Sequence, residues 1–354
     1  MTDSTTLAPW LQRQLHSLLA QRGHALLLAG PSGLGQYELG LALASAWLCE
    51  QPSEQGACGR CTSCHALQVR THADLCLLMP ETLCLALGWP LDEVAQKDID
   101  EKKRKPSKLI RVEAARDAVA FTQLTRARGR TKVVLVYPAE RMNTESANTL
   151  LKTLEEPVGE VRFVLVTEAA HQLLPTIRSR CLTHNLHWPA TDEALAWLQK
   201  QPINPDKPNT AGISPEQALV CLQAAGGRPS DALDWAHSGL SPQVWHQLPQ
   251  ALARGDWQLL DEWPAPRQLA VLQKLCHDLM ARAAGAAPRY FPPETLPASP
   301  SWANLLSWSH ELMNAARTVE HPFQASLMQE TWAAKTRQML SAPPPNATRP
   351  RPRP

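Results

Sequence analysis

A short apolar run that leads through a glycine-rich turn into a helical pattern constrains this chain more than any other feature of its sequence. Ala25–Ala29 has the continuous apolar character of a buried strand, residues 30–37 read Gly-Pro-Ser-Gly-Leu-Gly-Gln-Tyr, and residues 38–48 have a helical pattern. A glycine-rich turn between a strand and a helix is the setting that a phosphate-binding loop requires. We therefore predict an α/β domain with a mostly parallel sheet.

The turn has the glycines of a phosphate-binding loop but lacks the side chains that bind phosphate and magnesium. Gly30, Gly33 and Gly35 supply the tight turn. Gln36 occupies the position of the Lys that meets the β- and γ-phosphates, and Tyr37 occupies that of the Ser or Thr that ligates magnesium. We interpret the turn as one kept for packing, with residual nucleotide binding as the alternative and hydrolysis as the least favoured interpretation.

The acidic element that accompanies such a loop is missing as well. Lys132–Val136 and residues 161–166 are apolar runs rich in β-branched residues, and both are predicted to be central strands. Tyr137 and Pro138 follow the first run, where an ATPase carries an Asp-Glu pair for magnesium binding and water activation. These two independent losses predict that the chain has no functional ATP site of its own.

The remaining patterns divide the chain into an α/β half and a helical half. Between the two strands, Asn143 or Thr144 is predicted to cap a helix that ends at the Glu-Glu-Pro of residues 155–157. Residues 81–107 contain Pro, Gly and most of a charged run at 97–108, and we interpret them as a solvated surface insertion. No strand pattern returns after residue 188, and Pro-rich breaks separate the helical segments, with a further boundary predicted near residue 240.

Four of the nine cysteines lie close together in the sequence. Cys49, Cys58, Cys61 and Cys64 have the spacing C-x8-C-x2-C-x2-C, which lets four thiolates converge on one tetrahedral Zn²⁺. Four sulfur ligands indicate a closed structural site, since catalytic zinc usually keeps an open position. The alternatives are unrelated reduced thiols, or a site in which His65 replaces one cysteine. The other five cysteines are expected to be small buried apolar residues: Cys76, Cys84, Cys181, Cys221 and Cys276.

The charge balance argues against a strong overall attraction to nucleic acid or membranes. The 35 Lys and Arg residues nearly cancel the 33 Asp and Glu residues, so any DNA contact is expected to be local. The first residues lack a secretion-signal pattern, and no stretch approaches the roughly 18 apolar residues that span a bilayer. We therefore expect a cytoplasmic protein with no membrane partner.

Several motifs, taken in order, resemble one known family. They are the strand with its degenerate loop, the cysteine cluster, the strand Lys132–Val136, the sequence Asn-Thr-Leu-Leu-Lys-Thr-Leu-Glu-Glu-Pro at residues 148–157, and Ser179-Arg180-Cys181. Over residues 8–240 the chain is similar to the delta-prime subunits of bacterial DNA polymerase III clamp loaders, which are AAA+-type proteins. The ATP-hydrolysing loader subunits share the last two motifs, but the degenerate loop favours the delta-prime type.

The resemblance implies an AAA+-type α/β domain at residues 1–187 with a zinc-binding insertion, a small helical lid domain at 188–240 and a helical collar at 241–340. The Pro- and Arg-rich tail at 341–354 is expected to be disordered. The resemblance also implies a hetero-pentameric ring with the ATPase tau/gamma subunits and delta, which loads the sliding clamp onto primed DNA in chromosome replication. The chain would have no intrinsic catalysis, contact DNA and the clamp through the complex, and belong to the DNA polymerase (nucleotidyltransferase) holoenzyme.

One residue is expected to act on a neighbouring subunit. The resemblance assigns Arg180 of Ser-Arg-Cys as an arginine finger that reaches the nucleotide of the adjacent ATPase subunit, with Arg178 as the weaker candidate. A guanidinium suits that role because it stays charged and meets phosphate oxygens with two N–H groups. Active relatives carry a sensing Arg in the lid; Ser230 matches that position here, and Arg228 would compensate if the register shifts by two.

Two other functions compete with a loader subunit. An autonomous AAA+ ATPase would need substitutes for the Lys, the Ser or Thr, and the Asp-Glu pair at once. A free-standing zinc-containing DNA-binding protein would need a recognition helix after the cysteines, and no base-reading pattern follows them.

Overall fold

A computed structural model describes residues 7–204, 212–319 and 325–340 of the chain. The chain divides into two compact units, Met1–Ala190 and Thr191–Pro354. The predicted tail at 341–354 lies outside the described residues. The predicted division of the second half into a lid and a collar stays a prediction.

Five strands and eight helices build the described part of the first unit. The strands are β1 Ala25–Ala29, β2 Leu75–Leu78, β3 Lys132–Val136, β4 Val161–Thr167 and β5 Leu182–Asn185. The helices are α1 Pro9–Leu19, α2 Gln36–Leu48, α3 Thr62–Gln68, α4 Glu81–Ala86, α5 Glu93–Asp100, α6 Val112–Gln123, α7 Thr144–Glu155 and α8 Pro175–Arg178.

The five strands form one parallel sheet in the order β2-β3-β4-β1-β5. Every residue of β1 and β3 is buried, as expected of central strands that are covered on both faces. The glycine-rich turn after β1 and the residues Tyr137 and Pro138 after β3 therefore leave the sheet at the same edge, where the carboxyl ends of parallel strands meet. The predicted fold class is confirmed.

Local signals in the sequence explain where the helices begin. The side chain of Asn143 caps α7 by accepting the backbone N–H of Ser146 at 2.8 Å, as predicted. Helix α2 begins at Gln36, two residues before the start that the sequence pattern gave, because Gly35 provides its amino-terminal turn.

The segment at 81–107 differs from the solvated loop that we expected. It contains α4 and α5, and Asp92 caps α5 by accepting the backbone N–H groups of Val94 and Ala95. Arg104 donates two hydrogen bonds to the carboxylate of Glu81, one of them at 2.8 Å, and this pairing lowers the pKa of Glu81. A charged sequence is therefore ordered here by a capping residue and a two-pronged ion pair, which the charge run alone did not reveal.

The second unit is helical throughout its described part. Its helices are α9 Thr191–Leu198, α10 Pro215–Ala224, α11 Pro229–His237, α12 Pro242–Ala253, α13 Ala265–Ala283, α14 Trp302–Thr318 and α15 Ala325–Leu340. Proline is the first residue of α10, α11 and α12, where its missing N–H has no helical partner to lose. One hydrophobic core runs from Ala194 to Leu340, with Trp245 stacked on Phe291 at 4.4 Å between ring centroids.

A buried carboxylate holds the loop that precedes β3. Asp74 is 0% exposed, and its two oxygens accept the backbone N–H groups of Ala127 and Arg128 at 2.8 and 2.7 Å.

Replacing Asp74 with Ala is expected to destabilise the chain by about 2 kcal/mol or more, because hydrogen bonds to charged groups contribute about 1.5–3 kcal/mol each. This corresponds to a fall of roughly 4–8 °C in melting temperature. Asp117→Ala, on the exposed face of α6, serves as the control and should leave the melting temperature nearly unchanged. Equal melting of both variants would contradict the role of Asp74.

Candidate functional site

The glycine-rich turn keeps the backbone shape of a phosphate-binding loop. Gly33 and Gly35 have φ angles of +79° and +93°, in the left-handed region that favours glycine. A Cβ at Gly35 would also lie 2.5 Å from Cδ1 of Leu11 in α1, so a side chain there would have to displace Leu11. Trp10 of the same helix donates its indole N–H to the carbonyl of Leu34 at 3.2 Å. The turn is thus fixed from outside by α1.

The side chain of Gln36 fills the inside of this turn. Its amide nitrogen donates to the carbonyls of Gly30, at 3.1 Å, and Pro31, and its amide oxygen accepts the backbone N–H of Leu34 at 3.2 Å. Only 2% of Gln36 is exposed. The backbone groups that line the turn therefore bind the side-chain amide of Gln36. This side chain occupies the inside of the turn.

Two tyrosines stack on each other beside the glycine-rich turn. The rings of Tyr37 and Tyr137 are 5.1 Å apart with an interplanar angle of 29°. The hydroxyl of Tyr37 accepts the indole N–H of Trp89 at 2.6 Å, and the hydroxyl of Tyr137 donates to Glu168 at 3.1 Å. Burial raises the pKa of both phenols, so both stay neutral hydrogen-bonding groups at neutral pH.

Trp89 is a site residue that the sequence analysis missed. It lies in the segment between α4 and α5, more than fifty positions from Tyr37, and it is buried with Met79 and Cys84 in a small apolar cluster that also contacts both tyrosines. The only feature of the sequence that could have indicated this role was the tryptophan itself, a large apolar residue in a segment that we otherwise interpreted as solvated. The structure thus ties the 81–107 segment to the degenerate loop.

The four cysteines Cys49, Cys58, Cys61 and Cys64 come together between the end of α2 and the first turn of α3, which contains Cys64. Their four sulfur atoms all lie within 4.8 Å of one another. The sulfur–sulfur distances are 3.8 Å between Cys49 and Cys61, 3.9 Å between Cys58 and Cys64, and 3.7 Å between Cys64 and Cys49. Four sulfurs at the usual zinc–sulfur distance around a tetrahedral ion would be about 3.8 Å apart, so the cluster fits such an ion.

The surroundings of the four thiols differ. Cys49 and Cys64 are buried, and burial raises the pKa of each. The backbone N–H of Arg60 lowers the pKa of Cys58 to about 6. His65 is exposed and does not belong to the cluster. Of the five other cysteines, Cys84, Cys221 and Cys276 are buried, whereas Cys76 and Cys181 are partly buried.

Arg180 lies just after α8 and pairs with α7. Its guanidinium donates to the carboxylate of Glu155, the first Glu of the Leu-Glu-Glu-Pro sequence, and to the backbone carbonyl of Thr176 at 2.8 Å. The side chain of Arg180 is 27% exposed and that of Glu155 is 49% exposed. Arg178 is exposed at the end of α8. Two motifs that are far apart in the sequence, 148–157 and 179–181, therefore meet at this ion pair.

Ser230 and Arg228 lie at the start of α11 in the second unit. Ser230 is partly buried in the first turn, and Arg228 forms an ion pair with Asp231 at 2.7 Å. Burial raises the pKa of Asp231, and Arg228 opposes that shift. The assignment of Ser230 to the sensing position stays a prediction.

None of the helices among the described residues is long and apolar enough to cross a membrane.

Comparisons with known proteins agree with the motifs. A family model described as DNA polymerase III, delta subunit, matches residues 6–189. The delta' subunit of DNA polymerase III from Pseudomonas aeruginosa is 39% identical over 284 residues, which are 76% of this chain and 79% of that one. The delta' subunit from Escherichia coli is 34% identical over 292 residues, 79% of this chain and 78% of that one. The tau subunit from Escherichia coli is 30% identical over 237 residues, 67% of this chain and 30% of tau.

Proposed function

Because the chain belongs to the family of DNA polymerase III delta' subunits, we propose that it is a clamp-loader subunit that hydrolyses no ATP itself. The observation that carries the second half of this proposal is the position of Gln36, whose amide is held by Gly30, Pro31 and Leu34 inside the turn where a phosphate would bind. In this proposal the chain acts in the cytoplasm as part of the DNA polymerase III holoenzyme.

The tyrosine stack supports the same conclusion by a separate route. A magnesium ion at this edge of the sheet needs a hydroxyl from the loop and a carboxylate after β3. Tyr37 and Tyr137 fill both positions with rings that contact each other and join the apolar cluster of Met79 and Trp89. Restoring one missing group would therefore leave the metal site blocked.

This proposal predicts that Gln36→Lys does not create an ATPase. The new ammonium would supply the phosphate contact, but Tyr37 and Tyr137 would still occupy the magnesium position, and Pro138 would still stand in the acidic element. The measurement is magnesium-dependent phosphate release by the purified chain, with wild type and Gln36→Ala alongside. We expect background rates in all three. Turnover that co-elutes with the pure wild-type chain would refute the proposal.

We further propose that Arg180 completes the ATP site of a neighbouring subunit in a hetero-pentameric ring with the tau/gamma ATPase subunits and delta. The pair with Glu155 supports this role because it keeps the guanidinium ordered near the surface. Surface ion pairs contribute roughly 0–1 kcal/mol, so exchanging Glu155 for a phosphate would cost little. The ring would act on primed DNA and the sliding clamp.

The cysteine cluster is proposed to hold one structural Zn²⁺ through Cys49, Cys58, Cys61 and Cys64. The separations of the sulfur atoms and the absence of His65 from the cluster support four sulfur ligands. The ion would hold α2 and α3 together and would take no part in a reaction. Because the cluster lies inside the α/β unit, the proposal assigns it to the architecture of a loader subunit and not to a free-standing DNA-reading module.

A further inference from the structure

A second cleft lies at the edge of the sheet opposite the glycine-rich turn. Its volume is about 870 Å³, and it is lined by α1, α2, residues 52–54 of the loop between Cys49 and Cys58, residues 126, 130 and 131, and the start of β4. Residues 131 and 160 directly precede β3 and β4, so the cleft is at the amino ends of the strands. The proposed function as a loader subunit assigns no role to the residues that line this cleft.

Three arginines line the cleft. Arg126, Arg130 and Arg162 contribute to its walls. In the part of the chain that the structure describes, none of their guanidinium groups forms an ion pair, although Arg126 donates to the backbone carbonyl of Arg130. Guanidinium groups bind carboxylates and phosphates through paired N–H donors. The cleft therefore brings several such donors together, although the charge of Glu160 acts on Arg162.

Trp47 packs against one of these arginines. The guanidinium carbon of Arg162 lies 4.6 Å from the centre of the Trp47 ring, within the range of a cation–π contact. The indole nitrogen of Trp47 is buried and has no hydrogen-bond partner among the described residues. Because this nitrogen has no accessible surface, Trp47 contributes to the cleft through its contact with Arg162.

Two carboxylates in the cleft restrict the class of ligand that it can bind. Glu54 and Glu160 also line it. The ring of His16 contacts the backbone carbonyl of Glu54 at 3.0 Å, which fixes this wall on α1. Two carboxylates would repel a run of acidic side chains, but they accept hydrogen bonds from hydroxyl and amino groups. A ligand that carries both an oxyanion and such donors matches the cleft better than an acidic peptide does.

We propose that this cleft binds a mononucleotide, with its phosphates on Arg126, Arg130 and Arg162 and its hydroxyl or amino groups toward Glu54 and Glu160. The volume lies within the range of about 300–1,000 Å³ that small-molecule sites occupy. This site is separate from the glycine-rich turn, so its binding of a nucleotide would not depend on whether that turn also binds one.

Calorimetric titration of the full chain with ADP and with pyrophosphate, in low salt and without magnesium, tests the proposal. We expect the wild type to bind ADP, and Arg130→Ala and Arg162→Gln each to lower the affinity about tenfold or more, because each removes charge-assisted hydrogen bonds. Arg116→Ala, on the exposed face of α6, is the matched control and should bind as the wild type does. Melting temperature and metal content verify that the variants are folded.

Three results would overturn the proposal. The first is the absence of ADP and pyrophosphate binding at millimolar concentrations. The second is loss of ADP binding in Gln36→Ala together with unchanged binding in Arg130→Ala, which would assign the nucleotide to the glycine-rich turn. The third is binding of a 5′-phosphorylated single-stranded oligonucleotide without any binding of ADP, which would identify the ligand as a nucleic acid.

Discussion

Replacing Cys61 with Ser is expected to remove the metal from this chain and to loosen the segment that joins α2 to α3. Structural zinc contributes on the order of 10 kcal/mol to the folding of small sites, so the loss of one of four ligands should have a large effect. Wild-type protein should contain about one zinc per chain by elemental analysis. The variant should contain almost none, and protease should cleave within the Cys49–Cys64 segment.

The effect should remain local to that segment. The hydrophobic core between the sheet and helices α6 and α7 contains none of the four clustered cysteines. We therefore expect circular dichroism to report most of the α/β structure in the Cys61 variant. Cys181→Ser is the matched control, because Cys181 is partly buried outside the cluster and should leave the zinc content unchanged. A metal-free wild-type chain that is folded and resists protease in this segment would contradict the zinc site.

Arg180→Ala should lower ATP turnover by the assembled loader without changing the folding of this chain. An arginine finger contributes roughly 10³ to 10⁵ in rate at the site it completes, so the neighbouring site should become nearly inactive. The complex should keep part of its turnover, since other interfaces would use the fingers of the ATPase subunits. The isolated chain should lose little stability, because the ion pair of Arg180 with Glu155 is partly exposed.

The shape of the guanidinium matters for this prediction. Arg180→Lys should recover little activity, because a point-like ammonium cannot reproduce the planar contact with two phosphate oxygens. Full activity in Arg180→Lys would indicate that only the charge is needed and would argue against a bidentate finger.

The sequence predicted the central part of the fold because its signals there are local and agree. The apolar runs that form β1, β3 and β4, the cap at Asn143 and the glycines of the turn each act through neighbouring residues, and the structure confirms them. The two edge strands of the sheet, β2 and β5, were not predicted. β5 is short and largely exposed, so it lacks the apolar run that marks a buried strand.

The contacts of the site depend on residues that are distant in the sequence. The prediction that the turn lacks its Lys and its magnesium ligands rests on the identities of Gln36, Tyr37 and Tyr137, but the contacts that these side chains make could not be predicted from the sequence. The stack of the two tyrosines brings together residues one hundred positions apart, and Trp89 reaches them from a segment that looked like a loop. The pairing of Arg180 with Glu155 likewise joins two motifs that no local pattern connects.

DNA-stimulated ATP turnover by a reconstituted loader tests the central claim most directly. The complex of tau, delta and this chain would be assembled with wild type, with Arg180→Ala, with Arg178→Ala, or without the chain. We predict that the chain co-purifies with the complex, that its omission and Arg180→Ala both reduce turnover and clamp loading, and that Arg178→Ala behaves as wild type. Failure of the chain to join the complex, or equal turnover in all four samples, would contradict the account.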